Sequence, residues 1–304
     1  MENLDYFEVT GHISNSALKA LKTSPKKFRR ILEGEEVNGS TKSTELGTII
    51  HMYLLERAKY DAEITVLDYE IPNSPAKKGF CESVFNGNSL LVAYRDNYST
   101  KEKDEKVQEK AETLKEECKS YLDYLEKRQN KTIITSEISQ QLQSIADNIR
   151  GHKLASKLIF NDADIFASDS LSTYCEKAIY WEYEKMKCKS LLDKLIIDKQ
   201  DKVVIILDIK TTAEINSFEY NFFSRGYDDQ LAFYTMACYF SEEFKTLVPE
   251  EEREQWDFKW YIVAIDTIAN GIKVFEISSK TIESSIKNIK ELMSRAKYHI
   301  DNNL

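Results

Sequence analysis

Asp208 and Lys210 close residues 203–210, VVIILDIK, in which five apolar residues run into an acid and, two positions on, a cation. Side chains alternate along a strand, so this acid and this ammonium share a face. Burying either charge at the end of an apolar strand is costly unless it is paired or binds metal. The two groups can simply pair with each other. Asp193 lies in the preceding run, SLLDKL at residues 190–195. A turn at residues 198–201 brings it within a residue or two of the level of Asp208. A second turn at Glu184-Lys185 places Glu176 roughly opposite Asp193. Three carboxylates gathered this way repel one another unless cations are present. Oxygen ligands with open positions suit Mg²⁺, with Mn²⁺ as a substitute. Chance clustering of surface acids is the competing explanation.

Three further groups stand out. His51 ends residues 47–51, GTIIH, in a helical stretch, as a ligand or as an ordinary packed residue. Gln230 and Tyr234 are four apart and share a helix face that can look onto the acids; a half-buried tyrosine beside a surface amide is the plainer reading. Lys26, Lys27, Arg29 and Arg30 form the densest basic cluster. They suit phosphate contacts whose strength falls steeply with salt, or a solvated helix face.

The elements that must position these groups follow from pattern and punctuation. His12 to Ser16 supply N-cap candidates for a helix carrying Ala17, Leu18, Ala20 and Leu21, and Ser24-Pro25 ends it and starts another. Residues 34–43 read as a polar loop and 45–55 as a helix. Pro72, Pro75, Gly79 and Gly87 suggest irregular chain with short strands over 60–100. Residues 101–128 carry Val107, Leu114, Tyr121 and Leu125 at helical spacing, and 135–158 form an amphipathic helix broken near Gly151-His152. Residues 174–183, 188–198 and 202–210 make an antiparallel meander. A helix over 226–240, strands at 260–265 and 272–277 and a helix over 281–300 complete the chain. No internal repeat is present.

The chain has 304 residues, 42% hydrophobic, enough for a sizeable core. No apolar run approaches the roughly 20 residues that span a bilayer. The first ten residues carry acids and no apolar stretch of the signal-peptide kind, so a cytoplasmic location without membrane attachment is expected. The five cysteines, Cys81, Cys118, Cys175, Cys188 and Cys238, are scattered, which fits reduced thiols and argues against a cysteine-ligated iron–sulfur cluster. The net charge of −9 runs against a nucleic-acid binder, although a local basic face can still hold phosphates.

Taken in order, these elements resemble the RecB-like branch of the PD-(D/E)XK nucleases, closest to the RecE (exonuclease VIII) nuclease domain of phages and prophages. The resemblance covers about residues 12–240. It rests on Ser14-Asn15-Ser16-Ala17-Leu18, Ser24-Pro25-Lys26-Lys27-Phe28, the Gly47 to His51 helix, Asp193, Asp208-Ile209-Lys210-Thr211-Thr212 and Gln230-Leu231-Ala232-Phe233-Tyr234. Leu192 stands where a proline usually precedes the first acid, and the last 60 or so residues carry no motif.

The resemblance implies an α/β (α+β) fold: a restriction-endonuclease-like core with a central mixed sheet flanked by helices, plus a helical N-terminal part. It implies one nuclease domain over 1–304, with residues 1–165 mostly helical and 166–304 holding the sheet. His51, Asp193, Asp208 and the Ile209 carbonyl would bind Mg²⁺. Lys210 would orient or deprotonate the attacking water, Glu176 would be an auxiliary acid, and Gln230 and Tyr234 would position Lys210 or the scissile strand. The implied activity is metal-dependent exonuclease action on linear double-stranded DNA, 5′ to 3′, in phage-type recombination or repair. Implied partners are DNA ends, a RecT-like single-strand annealing protein and further copies in a ring tetramer. Alternatives are a non-catalytic DNA-binding or assembly module on a degenerate nuclease fold, and a CRISPR-adaptation-type nuclease of the same branch.

Overall fold

The computed structural model describes residues 6–35, 42–128, 131–160 and 170–302. Helix α1 (Asn15–Leu21) begins where the Ser14 hydroxyl accepts the Ala17 N–H at 3.2 Å, and it buries Ala17, Leu18 and Leu21. Helix α2 (Pro25–Glu33) repeats the device with Ser24 as cap and Pro25 in the first turn, and Gly34 ends it at φ 77°. Most of the loop expected at 34–43 lies outside the described residues. Helix α3 (Lys42–Leu55) follows and carries His51.

The chain divides into two compact units, Met1–Glu56 with Ser144–Leu304, and Arg57–Gln143. The second unit contains α4 (Arg57–Glu63), β1 (Ile64–Val66), α5 (Pro75–Phe85), α6 (Leu90–Asn97), α7 (Asp104–Glu117), α8 (Lys119–Lys127) and β2 (Thr132–Ile134), with β1 and β2 paired in parallel. Helices therefore replace much of the irregular chain expected over 60–100. Pro75 does not interrupt structure: it sits in the first turn of α5, behind the Ser74 cap. Phe80, Cys81 and Ala93 supply the apolar faces and join Ala111, Tyr121 and Leu125 in a small core.

Helix α9 (Ser136–Gly151) and α10 (Lys153–Phe160) break where expected, with the His152 ring accepting the Ala155 N–H. The sheet is built from β3 (Leu171–Tyr183), β4 (Met186–Asp198), β5 (Val203–Thr212), β6 (Asp257–Asp266) and β7 (Ile272–Ile277), in that spatial order. The β5–β6 pair is parallel and the others antiparallel. Between β5 and β6 lie a one-turn α11 (Phe218–Asn221), α12 (Tyr227–Phe240) and α13 (Glu242–Leu247), and α14 (Ser279–Asp301) ends the chain. Leu231, Phe233 and Ala237 of α12 and Ile289 and Met293 of α14 share one core with Val204, Ile206, Trp260 and Ile262 of the sheet. This mixed sheet flanked by helices is the expected α/β core.

Strand alternation is broken at one level of the sheet. In β4, Met186, Cys188 and Leu192 enter the core beneath α12, and then Leu195 and Ile197 do so. In β3, Ile179 and Trp181 enter it, and Tyr174 packs against it. Both strands change parity between these sets, at Asp193 and at Glu176. Glu176 has φ 46°, a left-handed backbone that costs about 1 kcal/mol or more outside glycine. Its neighbours pair one to one, Cys175 with Lys194 and Lys177 with Leu192, so no residue is inserted. The strand is rotated locally, and the rotation turns two acids into the site.

Candidate metal centre and active site

The β4–β5 ladder runs from Asp198 opposite Val203 to Lys194 opposite Leu207 and stops there. Extending the register by one step sets Asp193 level with Asp208. The Asp193 carboxylate, not a backbone carbonyl, receives the next amide: its Oδ2 accepts the Ile209 N–H at 2.6 Å. Beyond that point the two strands part. The far arm of β4 is bridged at Cys188 by Ile13 of the N-terminal segment, through Ile13 N–H to Lys187 O at 2.8 Å and Lys189 N–H to Ile13 O at 2.9 Å.

Six of the expected site residues meet at this fork. His51 Nδ1 lies 3.5 Å from Glu176 Oε1 and 3.7 Å from Asp193 Oδ2, and its Nε2 lies 3.1 Å from the Ile209 carbonyl oxygen. One donor atom each from His51, Glu176 and Asp193 fall within 4.8 Å of one another. Asp208 stands beside this trio, ion-paired with Lys210 at 2.6 Å. Its Oδ1 is shut off from solvent and has no hydrogen-bond partner among the described residues. A buried carboxylate oxygen left this way calls for a proton or a cation. Two or three carboxylates, an imidazole and a nearby carbonyl form a donor set suited to Mg²⁺ or Mn²⁺. The residues present therefore fit a divalent ion, with Glu176 in the donor trio and Asp208 turned toward Lys210.

The electrostatics agree with crowded, half-compensated charge. Burial disfavours the imidazolium of His51, but Asp193 and Glu176 outweigh it and raise the ring to about 9. Burial lifts the Asp208 carboxyl to about 6 against the pull of Lys210, and Asp193 adds to the rise. Lys210 is raised because Asp208 and Asp193 outweigh its own burial. Its ammonium also lies 5.4 Å from the centre of the Tyr227 ring.

Gly47 explains how α3 comes close enough. A Cβ built there would lie 3.1 Å from the Thr211 hydroxyl at the end of β5. One turn along the same helix, His51 then reaches the acids.

Gln230 and Tyr234 share the sheet-facing side of α12, and the Gln230 amide donates to the Tyr234 hydroxyl at 2.6 Å. Burial, then Asp208 and Asp193, push the Tyr234 phenol well above its ordinary value. Asp193, Gln230 and Tyr234 line one groove of about 530 Å³ whose other wall is the N-terminal segment, with Tyr6, His12, Ser14 and Asn15. Lys189 ties that segment down, donating to the Tyr6 and Val9 carbonyls at 2.8 and 2.6 Å. Tyr6, His12 and Lys189 have no mark in the sequence that sets them apart; only the pairing of Ile13 with β4 brings them here. Lys26, Lys27, Arg29 and Arg30 lie on α2, mostly exposed, and do not line this groove, whereas Ile31 and Gly34 at the end of the same helix do.

No helix among the described residues is long and apolar enough to cross a membrane. No curated protein matches the chain. Among solved structures, a candidate exonuclease from Eubacterium rectale is 12% identical, with a TM-score of 0.49 over 96% of this chain and 82% of that one. The sequence match is broader in kind. Residues 14–303 fit one family along nearly the whole chain, including every element of the fork, so the chain belongs to the family described as PDDEXK-like domain of unknown function (DUF3799).

Proposed function

We propose that the chain is a divalent-metal-dependent deoxyribonuclease. The observation that carries this reading is the donor trio of His51, Glu176 and Asp193 beside the buried Asp208–Lys210 pair, in a PDDEXK-like fold. Hydrolysis of a phosphodiester adds negative charge to a group that is already anionic. A bound Mg²⁺ would supply charge neutralisation and a more acidic water. His51, Asp193, Asp208 and the Ile209 carbonyl would hold it, with Glu176 as a further donor. Lys210 contributes a fixed positive charge beside the reacting phosphate and orients the attacking water. Gln230 and Tyr234, hydrogen-bonded to each other, would position Lys210 or the scissile strand. Lys26, Lys27, Arg29 and Arg30 would contact backbone farther along the strand.

The finer reading follows the motif order. The Gly47 to His51 helix, Asp-Ile-Lys-Thr-Thr and Asp-Gln-Leu-Ala-Phe-Tyr support a RecE-like exonuclease acting 5′ to 3′ on linear duplex DNA, in phage-type recombination or repair in the cytoplasm. A RecT-like annealing protein and a ring of like subunits belong to the same reading.

Incubation with Mg²⁺ and either linear or circular duplex of one sequence tests it. Progressive loss of the linear form only, abolished by EDTA and by Asp208→Asn, is expected. Equal cutting of both forms would make it an endonuclease. No cutting by the wild type with Mg²⁺ or Mn²⁺ would overturn the nuclease reading.

A further inference from the structure

A second cationic cluster borders the fork, apart from the α2 residues. Lys19 on α1 and Lys22, the residue that caps its C-terminus, lie one turn apart, and Arg225 lies just before α12. The Lys19 ammonium donates to the Arg225 carbonyl at 2.9 Å, which brings α1 and this segment together. Lys22 is ion-paired with the nearly buried Asp229. Among the described residues no acid pairs with Lys19 or with the Arg225 guanidinium. The three cations line a small cavity of about 80 Å³ with Asn15, Ser224, Gly226 and Asp229, the acid that pairs with Lys22.

Two links join this cavity to the metal centre. Asn15 lines both it and the groove that contains Asp193, Gln230 and Tyr234. Tyr227, two residues past Arg225, lies under the Lys210 ammonium. Charge runs across the same gap: besides its burial, Lys19 is lowered by repulsion from Lys210, Lys22 and Arg225. Like charges held together on a protein of net charge −9 are a local cost that a bound anion relieves.

We propose that Lys19, Lys22 and Arg225 form a backbone clamp that grips phosphates of the DNA strand next to the one being cut. This rests on the nuclease reading above and adds the surface along which the strand runs. The clamp binds phosphate oxygens as point charges and a fork of donors, so it is indifferent to sequence.

The test is binding of a fluorescein-labelled DNA duplex with a single-stranded tail, followed by anisotropy in EDTA over a range of salt, where cleavage plays no part. Lys22 is left intact because its loss would strand Asp229. Lys19→Glu combined with Arg225→Glu is expected to weaken binding about tenfold or more and to lower the salt slope by about 1.4 to 1.8, the loss of two backbone contacts. The uncharged pair Lys19→Gln with Arg225→Gln guards against misfolding of the reversed variant, and it should lose the same slope with an unchanged melting temperature. An unaltered slope in the uncharged pair, with a wild type that binds and cuts DNA, would overturn the clamp and leave the nuclease reading intact. A wild type that neither binds nor cuts DNA would fail the nuclease reading itself, and the clamp with it.

Discussion

Asp193 accepts the Ile209 amide through its carboxylate, at the point where the β4–β5 ladder ends. One side chain therefore finishes a sheet and starts a metal site. The two duties separate by substitution. Asp193→Asn keeps a carbonyl oxygen for the Ile209 N–H but loses the negative charge, so the fold should hold while Mn²⁺ binding and cleavage disappear. Asp193→Ala also leaves the buried amide without a partner, which costs about 1–3 kcal/mol. Urea melts and Mn²⁺ calorimetry on the two variants check this. Equal stability of Asn and Ala would show that the carboxylate does not close the sheet.

His51 gives the site a pH signature. Its folded value, about 9, lies above the ordinary histidine range because Asp193 and Glu176 outweigh burial. A group raised on folding stabilises the protein fully below its unfolded value and loses that contribution as pH climbs through the folded one. In EDTA, stability tied to His51 should therefore fall between about pH 6.5 and 9, by up to about 3 kcal/mol, and His51→Gln should remove that slope. The same proton competes with metal, so Mn²⁺ affinity should rise over this window with proton release on binding. Calorimetry in two buffers of different ionisation enthalpy measures the release. A pH-independent affinity without proton release would exclude His51 as a ligand.

Gly47 touches no ligand, yet metal binding should depend on it. Its missing Cβ lets α3 approach Thr211, and His51 is carried on the next turn. Gly47→Ala asks for a few tenths of an ångström and should be mild. Gly47→Val forces α3 away from β5 and should weaken Mn²⁺ binding about tenfold or more, on the scale of disturbing a ligand's support. Mn²⁺ titration of the two variants distinguishes them, and equal affinity in both would mean that α3 is not held by this contact.

The fork was legible in the sequence because two turns fix its register. Turns at Glu184-Lys185 and at residues 198–201 leave little choice but to bring Glu176, Asp193 and Asp208 to one level. The side-chain directions there were not legible. A left-handed Glu176 inside a strand has no signature in residue type, so the change of parity that turns Glu176 and Asp193 toward His51 appears only in three dimensions. The helices over 75–97 were hidden for a related reason. Pro75 and Gly79 usually break structure, but one fills a helix start and the other faces Asn97 at close range. On α1 the apolar stripe dominated the pattern. Lys19 and Lys22 gained meaning only once Arg225, more than 200 residues away, was brought to the same cavity.

Lys194 sits at the end of the β4–β5 ladder with an environment unlike that of Lys210. Its side chain is buried, its ammonium donates to the Ile159 carbonyl at 2.5 Å, and among the described residues no acid pairs with it. Burial lowers it to about 8, partly offset by Cys175. An unfolded lysine keeps its proton to about 10.4, so between about pH 8 and 10.4 the unfolded chain binds more protons than the folded one. Stability from this residue should therefore rise with pH across that window, by up to about 3 kcal/mol. Below it, the cost of the buried charge is constant. Lys194→Met has no charge to bury, so its advantage over the wild type, or its smaller deficit, should shrink by about 2.5 kcal/mol from pH 7 to 10. Urea denaturation of both proteins at each pH reads the difference. Parallel stability curves would mean that the ammonium is hydrated in the folded protein and that the Ile159 carbonyl is not its main partner.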